Sequence, residues 1–268
     1  MLSILIPVYR YDCSQLVADL RTQGDTLGID YEVIVADDEK LGLGRARVRN
    51  WLADHSKGNK LLFIDCDAAV DNPHFVENYW KASALAPVVC GGQHNVDTHP
   101  SPDVSLRFRY EEAAKHQRLA AERNRHPYER FTSFSFLIDR ETFFSIRFDE
   151  RITEYGHEDT LFGAELERRG IPVLHIDNQL LNTDIETNTV FLDKSRTALR
   201  SLKHMEKELQ GHSTLLKSYR KVHRIGLHKL LAGLFKRYGK RWERQLTESE
   251  CPSLFLFKIY KLAYYCTL

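Results

Sequence analysis

The chain has 268 residues, 43% hydrophobic and 28% charged, which fits one large globular domain or a domain with an appendage. Its five cysteines are scattered and no Cys-x-x-Cys pair occurs, which excludes a zinc ribbon or a disulfide framework, and no apolar run reaches the roughly 18 residues of a spanning helix. The net charge of +1 hides an asymmetry: residues 1–193 carry 21 Lys and Arg against 32 Asp and Glu, residues 194–268 carry 17 against 5.

Leu2 to Tyr9 reads as a first strand ended by Pro7. There is no basic leader or long apolar segment before it, so no signal peptide is expected. Leu16, Val17 and Leu20 have helical spacing from Ser14 onward. Tyr31–Ala36 is a second strand running into Asp37-Asp38-Glu39, and Gly42 and Gly44 loosen the loop before a helical pattern over Arg45–Ala53. The third strand, Leu61-Leu62-Phe63-Ile64, runs into Asp65-Cys66-Asp67. Three βα units within about 67 residues imply a parallel, doubly wound sheet. The first strand lacks a following G-x-G-x-x-G, which disfavours a dinucleotide site.

Ligands of open α/β sheets bind beyond the carboxyl ends of the strands. If the strand stays extended, Asp65 and Asp67 project the same way. Two carboxylates aimed at one point call for a hard divalent cation, Mg²⁺ or Mn²⁺, which commonly carries phosphates. Taken alone, an Asp-x-Asp is as readily a strand cap bonded to backbone amides.

Val88–Gly92 is a short strand with a glycine pair, either a close approach to a ligand or a simple turn. Leu106–Arg125 reads as a long solvated helix, and Phe131–Ile138 alternates like a half-buried strand. Gly156 then breaks the chain before His157-Glu158-Asp159, and Leu161, Phe162, Ala164 and Leu166 mark the helix that follows. The acid pair either complements the helix dipole or supplies a general base. Gly170–Ile176 turns into what reads as the last strand, ending near Asn178 and Asn182.

Together, Ile6-Pro7-Val8-Tyr9, Asp37-Asp38, Asp65-Cys66-Asp67 and Gly156-His157-Glu158-Asp159 resemble glycosyltransferase family 2 over residues 1–190. The resemblance implies a GT-A fold: an α/β domain with a doubly wound, mostly parallel sheet flanked by helices. It implies inverting, metal-assisted transfer of a sugar from a nucleotide diphosphate, UDP foremost, to a glycan or lipid-linked saccharide. On that resemblance Pro7 and Tyr9 frame the nucleobase, Asp38 hydrogen-bonds it, and Arg45 lies near base or diphosphate. Asp65 faces the ribose or the metal, Asp67 coordinates Mn²⁺ or Mg²⁺, and Asp159, with Glu158 beside it, deprotonates the acceptor.

Two positions depart from the pattern. Relatives often place a metal-binding histidine where Asn182 stands; Asn182 offers its carbonyl oxygen as a weaker metal ligand beside Asp65 and Asp67, and His175 is the substitute, although its place in an apolar strand favours a structural role. Phe134-Ser135 replaces an asparagine-bearing segment associated with acceptor contacts. Two other readings stay open: a sugar nucleotidyltransferase, although Tyr9-Arg10-Tyr11-Asp12 replaces its usual glycine-rich loop, and a non-catalytic nucleotide-sugar-binding relative.

Residues 191–268 read as a basic helical extension. The aromatic stretch Leu254–Tyr265 within 245–268 suggests peripheral contact with an anionic membrane, packing on the acidic body or a dimer contact. No nucleic-acid motif accompanies the charge. The expected location is cytoplasmic, with the inner face of the cytoplasmic membrane open.

Overall fold

The computed structural model describes residues 1–96, 101–153 and 155–268. Glu154, four residues before Glu158, lies outside them. The chain divides into two compact units: residues 1–96, 115–153 and 158–184 form the first, and residues 97–114, 154–157 and 185–268 the second.

In chain order the elements are β1 (Leu2–Val8), α1 (Ser14–Leu27), β2 (Tyr31–Asp37), α2 (Asp38–Leu41), α3 (Arg45–His55), β3 (Lys60–Ile64), β4 (Ala68–Ala69), α4 (Phe75–Ala82), β5 (Val88–Cys90) and β6 (Gln93–Asn95). There follow α5 (Ser105–Glu112), α6 (Ala120–Arg123), β7 (Ser135–Asp139), α7 (Arg140–Ile146), α8 (Glu158–Arg168), β8 (Val173–His175) and β9 (Leu180–Asn182). The chain ends in α9 (Asn188–His204), α10 (Thr214–Arg224), α11 (Leu227–Thr247) and α12 (Leu254–Tyr265).

The first unit is built on a six-stranded sheet, ordered β2-β1-β3-β7-β5-β8. Its pairs are parallel except those of β7, which runs against both β3 and β5. Successive side chains alternate across the sheet. Leu61 and Phe63 join α3, α7 and α8 residues on one face, and Leu62 and Ile64 join α1 and α4 residues on the other. A mostly parallel sheet with helices on both faces is the α/β architecture expected from the sequence.

Several local expectations are corrected. Pro7 lies inside β1, opposite Ala36, but the ladder to β3 stops at Leu5. With a strand on only one side, a residue without an N–H is tolerated there. The third strand ends at Ile64, and Asp65-Cys66-Asp67 forms a turn before β4 instead of continuing the strand. The segment from Leu106 to Arg125 is not one helix but α5, a 3-10 turn over Lys115–Arg118, and α6. Nor is the strand after Phe131 half-buried: Ser135 to Ile138 are buried throughout, because β7 sits between two strands with helices on both faces. The last strand is β9, in a small sheet ordered β4-β9-β6.

The Gly91-Gly92 pair serves the protein's own packing. A Cβ on Gly91 would lie 2.4 Å from the Asn178 carbonyl oxygen and 2.5 Å from the Tyr79 hydroxyl. That hydroxyl accepts the Gly91 N–H at 2.7 Å and donates to the Ser135 carbonyl at 2.9 Å. Ser135 is thereby occupied inside the fold.

The second unit is helical. Thr187, Ser213 and Ser253 cap α9, α10 and α12 through their hydroxyls. Leu106, Leu192, Leu246, Phe257 and Tyr260 form its core. Arg196 on α9 bonds Glu243 on α11 at 2.6 Å, and the Tyr260 hydroxyl of α12 donates to the same carboxylate at 2.8 Å. Phe257, Tyr260, Ala263 and Tyr265 of α12 are buried, so most of its aromatic face is spent on packing, while Phe255 is 73% exposed.

Gly91→Ala is expected to cost about 1–3 kcal/mol, because the crowding falls on backbone and a fixed tyrosine. The urea midpoint of the full chain measures it, and an unchanged midpoint would show that Tyr79 can move aside.

Candidate active site

Every candidate acid belongs to the first unit, and helix α3 organises them. The loop before α3 bends through Gly42 and Gly44, both at positive φ (64° and 82°), where a side chain would be strained. Asp38 fixes that bend: its Oδ1 accepts the amides of Leu43 at 2.9 Å and Gly44 at 3.0 Å. Asp38 therefore sets the start of α3, one residue before Arg45.

Arg45 and Arg49 are four residues apart and so share a helix face. Arg49 is 2% exposed and donates to Asp65 Oδ1 at 2.5 Å. It also donates to the Arg45 carbonyl at 3.1 Å and lies over the Phe148 ring at 5.5 Å. Its charge reaches Asp159, favouring the ionised form. Arg45 stands 4.0 Å from Glu158, and its charge likewise reaches Asp67. Each arginine thus serves one acid from each pair, and the two pairs meet across one helix face.

Packing holds α8 in place. Phe162, one turn beyond Asp159, stacks on Phe148 at 4.6 Å and Phe131 at 5.1 Å. Asn50 of α3 exchanges hydrogen bonds with both backbone groups of Phe148 and donates to Glu150 at 2.9 Å. Glu158 is buried, and Asp159 accepts the Thr160 amide at 2.7 Å. Burial first, and the neighbouring Glu158 second, push the Asp159 carboxyl up to about 6.

The Asp-x-Asp turn is tied to two other loops. Thr183, just after β9, donates both its amide (2.9 Å) and its hydroxyl (2.8 Å) to the Asp67 carbonyl. The Tyr11 hydroxyl lies 2.7 Å from the Thr183 hydroxyl, joining the loop after β1 to the same point. Asn182 is buried opposite Ala68, and its Oδ1 accepts the Asp184 amide at 3.1 Å. Asp184 is close enough to raise the Asp67 carboxyl electrostatically. Burial leads that effect, Asp65 and Asp184 add to it, and the group stands at about 6. Burial also lifts the Cys66 thiol to about 11, so Cys66 is a protonated spacer between the acids.

Pro7 and Tyr9 flank this region, with Tyr9 57% exposed and Arg10 over its ring at 5.2 Å. His175 is structural. Its Nδ1 accepts from Arg123 at 2.8 Å, its Nε2 donates to the Pro127 carbonyl at 2.9 Å, and burial lowers its pKa to about 4. Four residues of the site, Arg49, Tyr11, Thr183 and Asp184, were given no role by the sequence reading. Arg49 lay within a noted segment but was not singled out, Tyr11 joins the site through Thr183, and Asp184 joins it through its charge on Asp67 and its bond to Asn182.

Among the described residues no group of three or more His, Cys, Asp or Glu could hold a metal alone. A cation carried on a diphosphate needs only one or two carboxylates, the phosphates and water supplying the rest. Asp67 fits that demand: its oxygens are hard donors, and a cation would relieve its repulsion by Asp65 and Asp184. Asp65 is already committed to Arg49.

No family model matches the chain, and no curated protein matches it in sequence. Among solved structures it is similar to the mannosyltransferase PcManGT from Pyrobaculum calidifontis in complex with GDP-Man and Mn²⁺, at 13% identity and a TM-score of 0.51, over 96% of this chain and 85% of that one. The fold is of GT-A type. The chain is also similar to S. aureus TarS in complex with UDP-GlcNAc, at 14% identity and a TM-score of 0.47, over 75% of this chain and 66% of that one. A third similarity is to the catalytic domain of Drosophila β1,4-galactosyltransferase 7 in complex with xylobiose, at 16% identity and a TM-score of 0.44, over 69% and 68%. The chain spans 39% of the length of a longer TarS structure. No helix among the described residues is long and apolar enough to cross a membrane.

The raised Asp67 carboxyl has a stability consequence. Between its ordinary value of 3.8 and about 6 the folded chain binds more protons than the unfolded one, so stability falls as pH rises through that window and is flat above it. Asp67→Asn should therefore stabilise the metal-free protein by about 1–3 kcal/mol at neutral pH. Near pH 4 the gain should vanish, since the Thr183 bonds go to the backbone and survive. Urea melts at the two pH values check this, and an equal effect at both would contradict the charge argument.

Proposed function

We propose that this chain is an inverting, metal-assisted glycosyltransferase of the family 2 type. It moves a sugar from a nucleotide diphosphate, UDP foremost, to a saccharide, free or lipid-linked, at the inner face of the cytoplasmic membrane. The observation that carries the reading is the meeting of the two acid pairs across Arg45 and Arg49 on α3. Inverting transfer needs a base facing the acceptor hydroxyl and positive charge at the departing diphosphate.

In this reading Asp159 is the base. A carboxyl poised at about 6 is ionised at neutral pH yet basic enough to take a proton in the transition state. Glu158 keeps Asp159 raised, and Arg49 keeps it from rising further. Asp67 would hold Mn²⁺ or Mg²⁺, with Asp65 and Asn182 as neighbours, and the ion would supply positive charge to the diphosphate. Arg45, half exposed beside Glu158, offers a second cation to the same anion. Asp38 orients the start of α3, and its carboxylate keeps acceptor capacity for a nucleobase N–H, with Pro7 and Tyr9 framing the ring.

The carboxylates divide the labour by environment. Asp65 neutralises a buried arginine, Asp67 faces two other acids with Arg45 as the cation that reaches it, and Asp159 is half-buried beside another acid. These different surroundings let chemically alike groups hold metal, hold position or accept a proton.

Release of nucleotide diphosphate from a panel of UDP- and GDP-sugars with Mn²⁺ and a saccharide acceptor tests the reading. Asp159→Asn should lower kcat by about 10²–10⁴ while leaving donor binding intact. Wild-type kcat should rise with pH through about 6 as the carboxyl ionises. UDP with Mn²⁺ should raise the melting temperature of wild type but not of Asp67→Ala. Undiminished turnover in Asp159→Asn would move the base elsewhere, and an equal thermal shift in Asp67→Ala would remove Asp67 from the donor site.

A further inference from the structure

The strongest uncommitted surface lies in the second unit, where α10 and α11 join. Two residues link the helices, Ile225 and Gly226, with Gly226 at φ 77°. Around this corner Ile225 is 65% exposed, Leu227 43% and Leu230 59%. The opposite side of α10 is occupied: Leu216 is buried and Tyr219 packs edge-on against Tyr265 at 4.9 Å. The aliphatic tip is therefore not a loose end of the core but a cluster turned to solvent.

Its charge is one-sided. From Leu209 to Trp242 the sequence contains no aspartate or glutamate and nine lysines and arginines. Lys221, Arg224 and Lys229 are exposed beside the three aliphatic residues. We infer that the α10–α11 corner is a membrane-docking tip, inserting Ile225, Leu227 and Leu230 among the acyl chains of an anionic phospholipid bilayer while its cations meet the headgroups. Aliphatic side chains at the centre with lysine and arginine around them match the boundary between hydrocarbon and anionic headgroup.

Two other partners fit less well. A second copy of the chain docking tip to tip would bring two cationic collars together, which like-charge repulsion opposes. Nucleic acid would satisfy the cations, and the stacked pair His223 and His228 (4.3 Å) beside the corner offers it ring surface, but it would leave three exposed aliphatic side chains without use. The inference also moves the lipid contact away from residues 245–268, since α12 buries most of its aromatic face. It stands independently of sugar transfer.

Co-sedimentation of the full chain with vesicles tests it, comparing phosphatidylcholine alone with phosphatidylcholine containing phosphatidylglycerol. Wild type should bind only the anionic vesicles, and salt should weaken binding. The double variant Ile225→Asp, Leu230→Asp should lose roughly tenfold or more in partitioning, as should the triple variant Lys221→Gln, Arg224→Gln, Lys229→Gln. All five positions are exposed, so both variants should keep the wild-type melting temperature, and Phe255→Asp, on α12, should bind as wild type does. Equal partitioning of wild type and the double variant overturns the inference. So does a wild-type dimer that the double variant dissolves, or binding of wild type to a duplex oligonucleotide with no binding to vesicles.

Discussion

Four carboxylates crowded into one region of a protein repel one another, and the fold depends on what offsets that repulsion. Here the offset comes from two arginines one turn apart on α3. Arg49 is buried against Asp65, and Arg45 stands beside Glu158. A buried guanidinium is costly without a partner, and so is a carboxylate facing other acids. Placed together they hold the turn after β3 and the start of α8 in one neighbourhood. The balance is incomplete by design of the site: Asp67 and Asp159 both remain raised to about 6. In the proposed reaction, that residual excess of negative charge is what would draw a cation to Asp67 and a proton to Asp159.

The positions of those arginines are themselves set by uncharged contacts. Ala46, Val48, Leu52 and Ala53 bury the other face of α3 against the sheet. Asn50 reaches from the same helix to the backbone of Phe148, and Phe148 in turn stacks on Phe162 of α8. The aromatic layer therefore fixes the distance between the two helices that carry the charges. Asp38 completes the arrangement by bonding the amides that open α3. A residue expected to touch ligand thus has a prior role in placing Arg45.

A second buried cation shows how differently the same side chain can be used. Arg123 is 4% exposed and spends its donors on the carbonyls of Arg118, Cys90, Gly91 and Ile176 and on His175. No carboxylate is among those bonds. It fastens β5 and β8 to the helix beside them and leaves no capacity for a ligand, and it takes His175 out of consideration as a metal ligand. Arg49, by contrast, leaves its Nε without a hydrogen bond while its terminal nitrogens face acid and carbonyl. One arginine closes a network, and the other is held at the edge of an open one.

The sequence by itself determined what local chemistry can encode. Apolar runs ending in acids marked β2 and β3, Gly156 and the apolar spacing beyond it marked the start of α8, and the aromatic run Leu254–Tyr265 marked α12. Such signals depend on neighbours a few residues away, and the α/β class follows from their alternation, whereas the strand order and the antiparallel β7 do not. Only the tertiary structure decided that Pro7 could sit within a strand, that Ser135 and Gly91 serve Tyr79, and that the aromatic face of α12 is packed. It alone joined Arg49, Tyr11 and Asp184 to the acids, because a charge or hydroxyl gains its role from partners distant in sequence. No periodicity records which arginine of a helix will be buried against a carboxylate sixteen residues away; that is settled when the chain closes around it.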